Sequence, residues 1–230
     1  MLEVETLEMF PHDPSYYSRI QLPVAYDASG YRDWRDVAHR WRLFLDEIFP
    51  GDDGMEKALC LQTYFGYCLL PDCRYQVCLF MIGTGANGKS IITDLLIDIL
   101  GRENVSSLPM QLFGQRFLIG QLKDKLVNVT GEISTGSPME TDVFKNAVGG
   151  GLLTADEKHG KPYTFYPIAK HVFAMNDVPK INDKSHGFQR RPIVLKFTEQ
   201  FDGPRRDPNL IKKLREELDG IFLWMLNGLS

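Results

Sequence analysis

An α/β fold, with a parallel sheet, helices on both faces and a small helical region in front, is what this 230-residue sequence predicts. Three observations carry that expectation. Short apolar runs such as "QVCLFMI" are bounded by glycine and polar residues, as strands buried on both faces are. After residue 75 these runs alternate with segments whose apolar residues recur every three or four positions, the mark of a parallel sheet. A glycine loop, "GTGANGKS", joins one such run to one such helix.

Taken in order, the first 25 residues, with Pro11, Pro14 and Pro23, read as an irregular lead-in. In "YRDWRDVAHRWRLFLDEIF" the residues Trp34, Val37, Trp41, Leu45 and Ile48 recur at helical spacing, so one amphipathic helix is expected. "GMEKALCLQTYFGYCLL" gives a second, closed by Pro71. "QVCLFMI" is the first strand. "KSIITDLLIDIL" then sets Ile92, Leu95, Leu96, Ile99 and Leu100 on one helical face and stops at Gly101. "NVSSL", "KLVNVTGEI" and "KHVFAMND" are further apolar runs of strand type. Between the last two, Ser137-Pro138-Met139-Glu140 is a capping box with proline at the first helical position, predicting a helix through "TDVFKNAV". "LLTADEKHGKPYTFYPI" puts β-branched and aromatic arms around His159-Gly160, a hairpin. "RRPIVLKF" is a last strand, and Asp207-Pro208 opens a final helix with Leu210, Leu214, Leu218, Ile221 and Met225 in register.

Composition excludes several classes. At 43% hydrophobic the chain can bury a full core. It has no apolar run of membrane-spanning length, and its start, "MLEVETLEMF", is acidic where a secretory signal is basic and then apolar, so a cytoplasmic protein of a host cell is expected. The formal charge of -4 argues against coating nucleic acid generally, so any such contact must be concentrated. Cys60, Cys68, Cys73 and Cys78 read as buried reduced thiols.

The glycine loop fits two signatures. Gly83-x-Gly85-x-x-Gly88 is the pattern of a dinucleotide-binding turn, and Gly83-x4-Gly88-Lys89-Ser90 is a nucleoside-triphosphate P-loop. A dinucleotide turn needs an acid about 20 residues on, after a second strand, to hold the ribose. Glu103 has that offset but precedes the strand-like "NVSSL". The P-loop reading uses what the other leaves idle. Backbone N–H groups of Gly83, Thr84, Gly85, Ala86, Asn87 and Gly88 cradle phosphate at the start of a helix; Lys89 adds a point charge, the Ser90 hydroxyl holds Mg2+, and Ile91 continues the wall. By chance the full pattern arises in roughly one chain in a hundred of this length, so a phosphate site is the strong signal.

A P-loop alone does not separate ATPases, GTPases and small-molecule kinases. Glu132 follows the strand "LVNVT", where an NTPase places acid near Mg2+ and the attacking water; a solvent-facing glutamate is the plain alternative. Asn176 closes "VFAMN" and could orient that water, or it is a turn asparagine. Arg190 and Arg191 precede the last strand, either as a finger reaching a neighbouring subunit's γ-phosphate or as a surface pair.

In this order, "GTGANGKS", "KLVNVTGEIS", "VFKNAVGGG", "FAMNDVPKIND" and "GFQRRPIVLKF" resemble the superfamily 3 helicases, in particular the phage and plasmid primase-helicase type, from about Leu22 onward. The resemblance implies a P-loop core of AAA+ type, an ATPase that assembles as a homo-oligomeric ring, usually a hexamer, and moves 3′ to 5′ on single-stranded DNA in phage or mobile-element replication. It implies ATP and Mg2+ at Lys89 and Ser90, Glu132 as the Walker B acid, Asn176 as sensor 1, and Arg190 or Arg191 as the finger. It implies a hairpin tracking DNA phosphates, here with Lys158, His159 and Lys161 near its tip. Lys145 matches a lysine common in the family and is expected at an interface or facing DNA. Residues 156–191 carry seven basic and four acidic side chains against the chain's net -4, so positive charge is concentrated there. Gly149-Gly150-Gly151 stands where relatives have Gly-Gly-Asp, and Asp156-Glu157 where they are basic. The expected division is a helical region over 1–75, the core over 76–204 and a C-terminal helix, a shortened lid, over 205–230. Because the family's motor usually continues further and often follows a primase, a fragment or shortened relative is expected, with a primase or initiator as partner. A nucleotide-switched replication initiator without unwinding, and a P-loop small-molecule kinase, remain as alternatives.

Overall fold

A computed structural model describes residues 1–3, 6–26, 33–131, 139–177 and 183–229. The helices and strands run α1 (Trp34–Val37), α2 (His39–Ile48), α3 (Gly54–Tyr67), β1 (Cys78–Ile82), α4 (Lys89–Leu100), β2 (Val105–Ser106), α5 (Arg116–Ile119), β3 (Val127–Thr130), α6 (Thr141–Gly149), β4 (Leu153–Ala155), β5 (Tyr163–Phe165), β6 (Lys170–Met175), α7 (His186–Gln189), β7 (Pro192–Lys196), α8 (Leu210–Arg215) and α9 (Leu218–Asn227). Five strands form one sheet in the order β2-β3-β6-β1-β7, parallel at every pairing, and β4 and β5 form a separate antiparallel hairpin.

The apolar strands are continuous because each alternate residue feeds a different core. On one face, Leu79 and Met81 of β1, Val127 and Val129 of β3, and Val172 and Ala174 of β6 meet α4 and the helices from both ends of the chain. On the other, Cys78, Phe80, Phe173 and Met175 meet Phe113, Phe144 and Phe188. All five apolar residues expected on one face of α4 are buried, and Gly101, at φ 82°, ends that helix. The fold is therefore α/β, a five-stranded parallel sheet flanked by helices.

Two helices expected to be continuous are broken, at sites that explain each other. The helix over 31–49 divides at Ala38 into α1 and α2, and the final helix divides at Glu216–Glu217 into α8 and α9. From that second break the Glu217 carboxylate accepts the backbone N–H groups of Arg40 and Trp41, each at 2.9 Å, satisfying two orphan donors at the start of α2. A neutral Ala38 at the cap position makes no side-chain bond of its own. α9 crosses the first break so closely that a side-chain carbon on Gly220 would lie 2.9 Å from the Val37 carbonyl oxygen. Trp41 and Trp224 then pack edge to face, ring centres 5.0 Å apart. Burying each such ring contributes on the order of 1.5–3 kcal/mol or more.

Of the expected capping box, Ser137 and Pro138 lie outside the described residues. α6 begins at Thr141, and Glu140 at its cap position makes no side-chain capping bond. Cys68, Cys73 and Cys78 are buried and Cys60 is half-buried, all as free thiols; burial pushes the Cys68 thiol up to about 12. No helix among the described residues is long and apolar enough to cross a membrane.

Glu217→Ala leaves two N–H groups of α2 without their carboxylate partner. It should lower folding stability by about 1–2 kcal/mol, read as a shift in the urea midpoint. An unmoved midpoint would show that the break between α8 and α9 does not hold the N-terminal helices.

Candidate nucleotide site and cationic edge

β1 lies between β6 and the edge strand β7, and at its end the chain turns through Gly83–Gly88 into α4. The turn is anchored on both sides: the Gly83 N–H donates to the Met175 carbonyl at 3.1 Å, and the Phe197 N–H to that of Ile82 at 2.7 Å. Gly85 and Gly88 adopt φ 105° and 87°, and Ala86 takes φ 50° between them. At Gly88 a side chain is disfavoured twice. The backbone is left-handed, and a Cβ would lie 3.0 Å from both Phe44 Cζ and Ile48 Cγ2 of α2. At Gly83 a Cβ would meet the Phe197 carbonyl oxygen at 2.6 Å. The residue after β7 straps the loop from outside, since the Phe201 N–H donates to the Ala86 carbonyl at 2.6 Å and Gln200 Nε2 to Thr84 Oγ1 at 3.0 Å.

Lys89, the first residue of α4, is 7% exposed. Its Nζ donates to the Gly83 carbonyl and, at 3.0 Å, to Asn87 Oδ1. Burial lowers its pKa from the ordinary lysine value. The Asn87 Nδ2 is buried and has no partner. Helix-start N–H groups, a buried ammonium and an unsatisfied amide donor together suit an anion with several oxygens. Ser90 is exposed at the mouth and Ile91 is half-buried. The loop opens on a cleft of about 700 Å3 whose walls include Phe44, Gly131, Asn176 and the stretch from Phe201 to Ile211.

Strand order brings the candidate catalytic groups to this end. β6 lies between β3 and β1, with Thr130 beside Phe173 and Ile82 beside Met175, so the carboxyl ends of all three strands point to the loop. Asn176, one residue past β6, lines the cleft, as does Gly131 past β3. Glu132 falls outside the described residues. Thr130 Oγ1, two residues before it, is buried without a partner. Sequence reasoning missed Arg40, Arg205 and Arg206, which also line the cleft. The "GPRRDP" run held a signal for two of them, a basic pair just before a helix.

Arg190 and Arg191 are at the opposite end of the sheet. Pro192 pairs with Cys78 and Lys196 with Ile82, and the Arg191 carbonyl accepts the Cys78 N–H at 2.9 Å. A five-residue strand thus separates them from their own loop, about 16 Å at the usual rise. The two differ in setting. Arg190 is exposed and donates from Nη2 to Gln76 Oε1 at 2.6 Å. Arg191 is 9% exposed, its Nε and Nη1 have no partner, and burial together with the Arg190 charge lowers its pKa.

Lys145 is not with the hairpin basics. It lies on α6, where its Nζ pairs with Asp142 at 2.8 Å and Asp183 at 3.1 Å. Lys158, His159 and Lys161 share the exposed turn between β4 and β5, with His159 at φ 64°. The hairpin is rooted by Leu153, Ala155 and Phe165 in the second core. The positive charge counted over 156–191 is only partly at the surface. Lys170 is buried, with its Nζ on the Leu70 and Ile168 carbonyls, and Arg191 is buried as well; Lys180 lies outside the described residues.

A family model described as a family of unknown function (DUF5906) matches residues 81–191, from β1 to the arginine pair. The chain is 23% identical over 232 residues to a protein of Invertebrate iridescent virus 3 named as a candidate helicase, covering 94% of this chain and 24% of that protein. It is 26% identical over 196 residues to another candidate helicase, of Acanthamoeba polyphaga mimivirus, covering 81% of this chain and 20% of that protein. The chain therefore spans about a quarter or less of the curated relatives it matches. Among solved structures, the apo C-terminal region of NrS-1 superposes with a TM-score of 0.64 at 18% identity, over 84% of this chain and 46% of that one, which shows a shared fold. In sequence, the chain is similar to helicase-named viral proteins.

Gly88→Ala should cost about 1–3 kcal/mol of stability, because a left-handed residue gains a side chain against Phe44 and Ile48. It should also open the loop, so that binding of a fluorescent ATP analogue is lost while the sheet remains folded by circular dichroism. Wild-type affinity in this variant would mean that the packing of α2 on Gly88 is not what shapes the loop.

Proposed function

We propose that this chain is the motor portion of an ATP-dependent DNA helicase or translocase of superfamily 3 type, from phage or mobile-element replication, working as a ring that hydrolyses ATP between subunits. The observation that carries this reading is the polarity of the sheet. The P-loop, Gly131 and Asn176 gather at the carboxyl ends of the strands, while Arg190 and Arg191 sit about 16 Å away at the amino end of β7. Such arginines serve a site on a neighbouring molecule or serve none.

In this reading the N–H groups of Gly83 to Ser90 and the Lys89 ammonium hold the triphosphate, and the Ser90 hydroxyl and Glu132 hold Mg2+. The metal ion neutralises charge between phosphates. Asn176 orients the attacking water. Arg190 is the finger, because it is exposed, whereas Arg191 is buried. Lys158, His159 and Lys161 contact the phosphates of single-stranded DNA. A homohexamer is the assembly this implies, and primases or initiators are the partners it suggests. A monomeric P-loop kinase would leave the arginine end of the sheet without a role.

Lys89→Ala should abolish ATP turnover stimulated by single-stranded DNA. Arg190→Ala should lower turnover by about 10^3-fold or more and leave ATP affinity within about twofold, as a group acting from a neighbour would. Mixing the two inactive variants should restore part of the activity, since a loop from one and an arginine from the other complete a site. A mixture as inactive as its parts would sink the shared-site reading.

Lys158→Ala and Lys161→Ala should each weaken single-stranded DNA binding and reduce the slope of log affinity against log salt by about 0.7. An unchanged slope would remove the hairpin tip from the DNA path.

A further inference from the structure

The segment that ends in Arg190 is held by a chain of contacts that the nucleotide reading does not use. Asp183 is at its centre. One carboxylate oxygen, Oδ2, pairs with Lys145 Nζ at 3.1 Å, and the other, Oδ1, accepts the Ser185 N–H at 2.8 Å. Ser185 in turn caps α7, its Oγ accepting the Phe188 N–H at 3.3 Å. α7 ends at Gln189 with Arg190 as its C-cap, and the Arg191 N–H returns to the Phe188 carbonyl at 3.0 Å. Gly187 fits between the two cationic groups: a Cβ there would lie 3.8 Å from both Lys145 Cδ and Arg191 Nη1.

These contacts are short-range and mutually consistent. α6 supplies Lys145, itself fixed from a second side by Asp142 at 2.8 Å. The Asp183 carboxylate is mostly covered, and hydrogen bonds from Ser185, then from Lys145 and Thr141, hold it ionised well below the usual carboxylate range. A covered, doubly engaged carboxylate ties α6 to the start of the arginine segment. A four-residue helix has too few internal bonds to hold its own orientation, so the aim of Arg190 comes from what clamps the ends of the segment. One end is the Asp183 junction, and the other is the Gln76 contact with Arg190.

We infer that Asp183 is a positioning residue for the trans-acting arginine, and that Lys145 is its counter-charge rather than a DNA contact. This rests on Arg190 being the finger. A displacement of about 1 Å in such a group costs on the order of 100-fold in rate.

The test is Asp183→Asn, which keeps the acceptor for Ser185 and removes the charge facing Lys145. DNA-stimulated ATP turnover should fall about 10- to 100-fold, with affinity for a fluorescent ATP analogue within about twofold and an unchanged melting temperature. The double variant Asp183→Asn/Arg190→Ala should be no slower than Arg190→Ala alone, because the carboxylate acts through that arginine. Wild-type turnover in Asp183→Asn, losses that multiply in the double variant, or ATP affinity falling in step with rate would each overturn the inference. If Asp183→Asn melts early, Lys145→Met breaks the same ion pair from α6 and is read the same way; a drop in its single-stranded DNA affinity would restore Lys145 to the DNA surface. Full turnover in Arg190→Ala would instead defeat the finger assignment, and the inference with it, through a different variant.

Discussion

The close approach of α2 to the glycine loop is the constraint on which the site depends. Phe44 and Ile48 press on Gly88 so closely that a side chain there would push them aside, and the loop backbone is left-handed at the same residue. Only the absence of a Cβ lets both conditions hold. The packing in turn requires α2 to start where it does, and that start is fixed by Glu217 from the far end of the chain. The glycine pattern of the loop is local, but its shape also depends on a helix before it, a strap after it at Gln200 and Phe201, and a carboxylate near the C-terminus. The terminal helices and the loop are therefore linked by packing and hydrogen bonds across distant parts of the chain.

The parallel sheet imposes the second constraint. In such a sheet every strand end of one kind faces one way, so a group at the start of β7 and a loop at the end of β1 are kept a strand's length apart whatever their side chains do. This turns the arginine pair from a sequence motif into a geometric statement. Arg190 and Arg191 are equal in sequence, yet burial divides them. Arg191 is buried, with two unpaired donors, and Arg190 points outward on the Gln76 side.

Much of this was legible in the sequence. β1, the loop and α4 follow from a continuous apolar run, a glycine pattern and five apolar residues at helical spacing, all local signals. The hairpin was legible from its turn and its β-branched arms, and its paired register, Leu153 with Phe165 and Ala155 with Tyr163, agrees. The broken helices were not. Their breaks are set by Glu217 and Gly220 meeting residues about 180 positions earlier, and apolar spacing continues smoothly across both. Arg40 joined the cleft for the same reason, through packing of α2 rather than through any motif. The charge count over 156–191 misled in part, because a lysine in an apolar strand, Lys170, goes inward and satisfies its ammonium on carbonyls. The capping signal at 137–140 marked the helix that follows it without specifying its first residue.

The cationic edge carries an unbalanced cost that its surroundings only partly offset. Arg191 is desolvated beside another guanidinium, a combination that disfavours its charged form. Lys145, on the other side of Gly187, is neutralised by Asp142 and Asp183, and Arg190 has the neutral Gln76. Two acids thus answer the lysine, while Arg190 meets a neutral amide and the Arg191 Nε and Nη1 meet no acceptor. A chain selected for stability alone would place an acid beside Arg191, or replace it with an apolar side chain of similar size. Retaining unsatisfied guanidinium donors at the sheet end farthest from the loop fits a surface whose counter-charge is brought by another molecule. At the loop, by contrast, the buried Lys89 ammonium donates to the Gly83 carbonyl and to Asn87 Oδ1, and only the Asn87 Nδ2 donor is left without a partner. Of the two ends, it is the amino end of β7 that holds a buried guanidinium with unpaired donors, whereas the cleft at the loop end sets Glu47, Asp202 and Asp207 among its basic side chains.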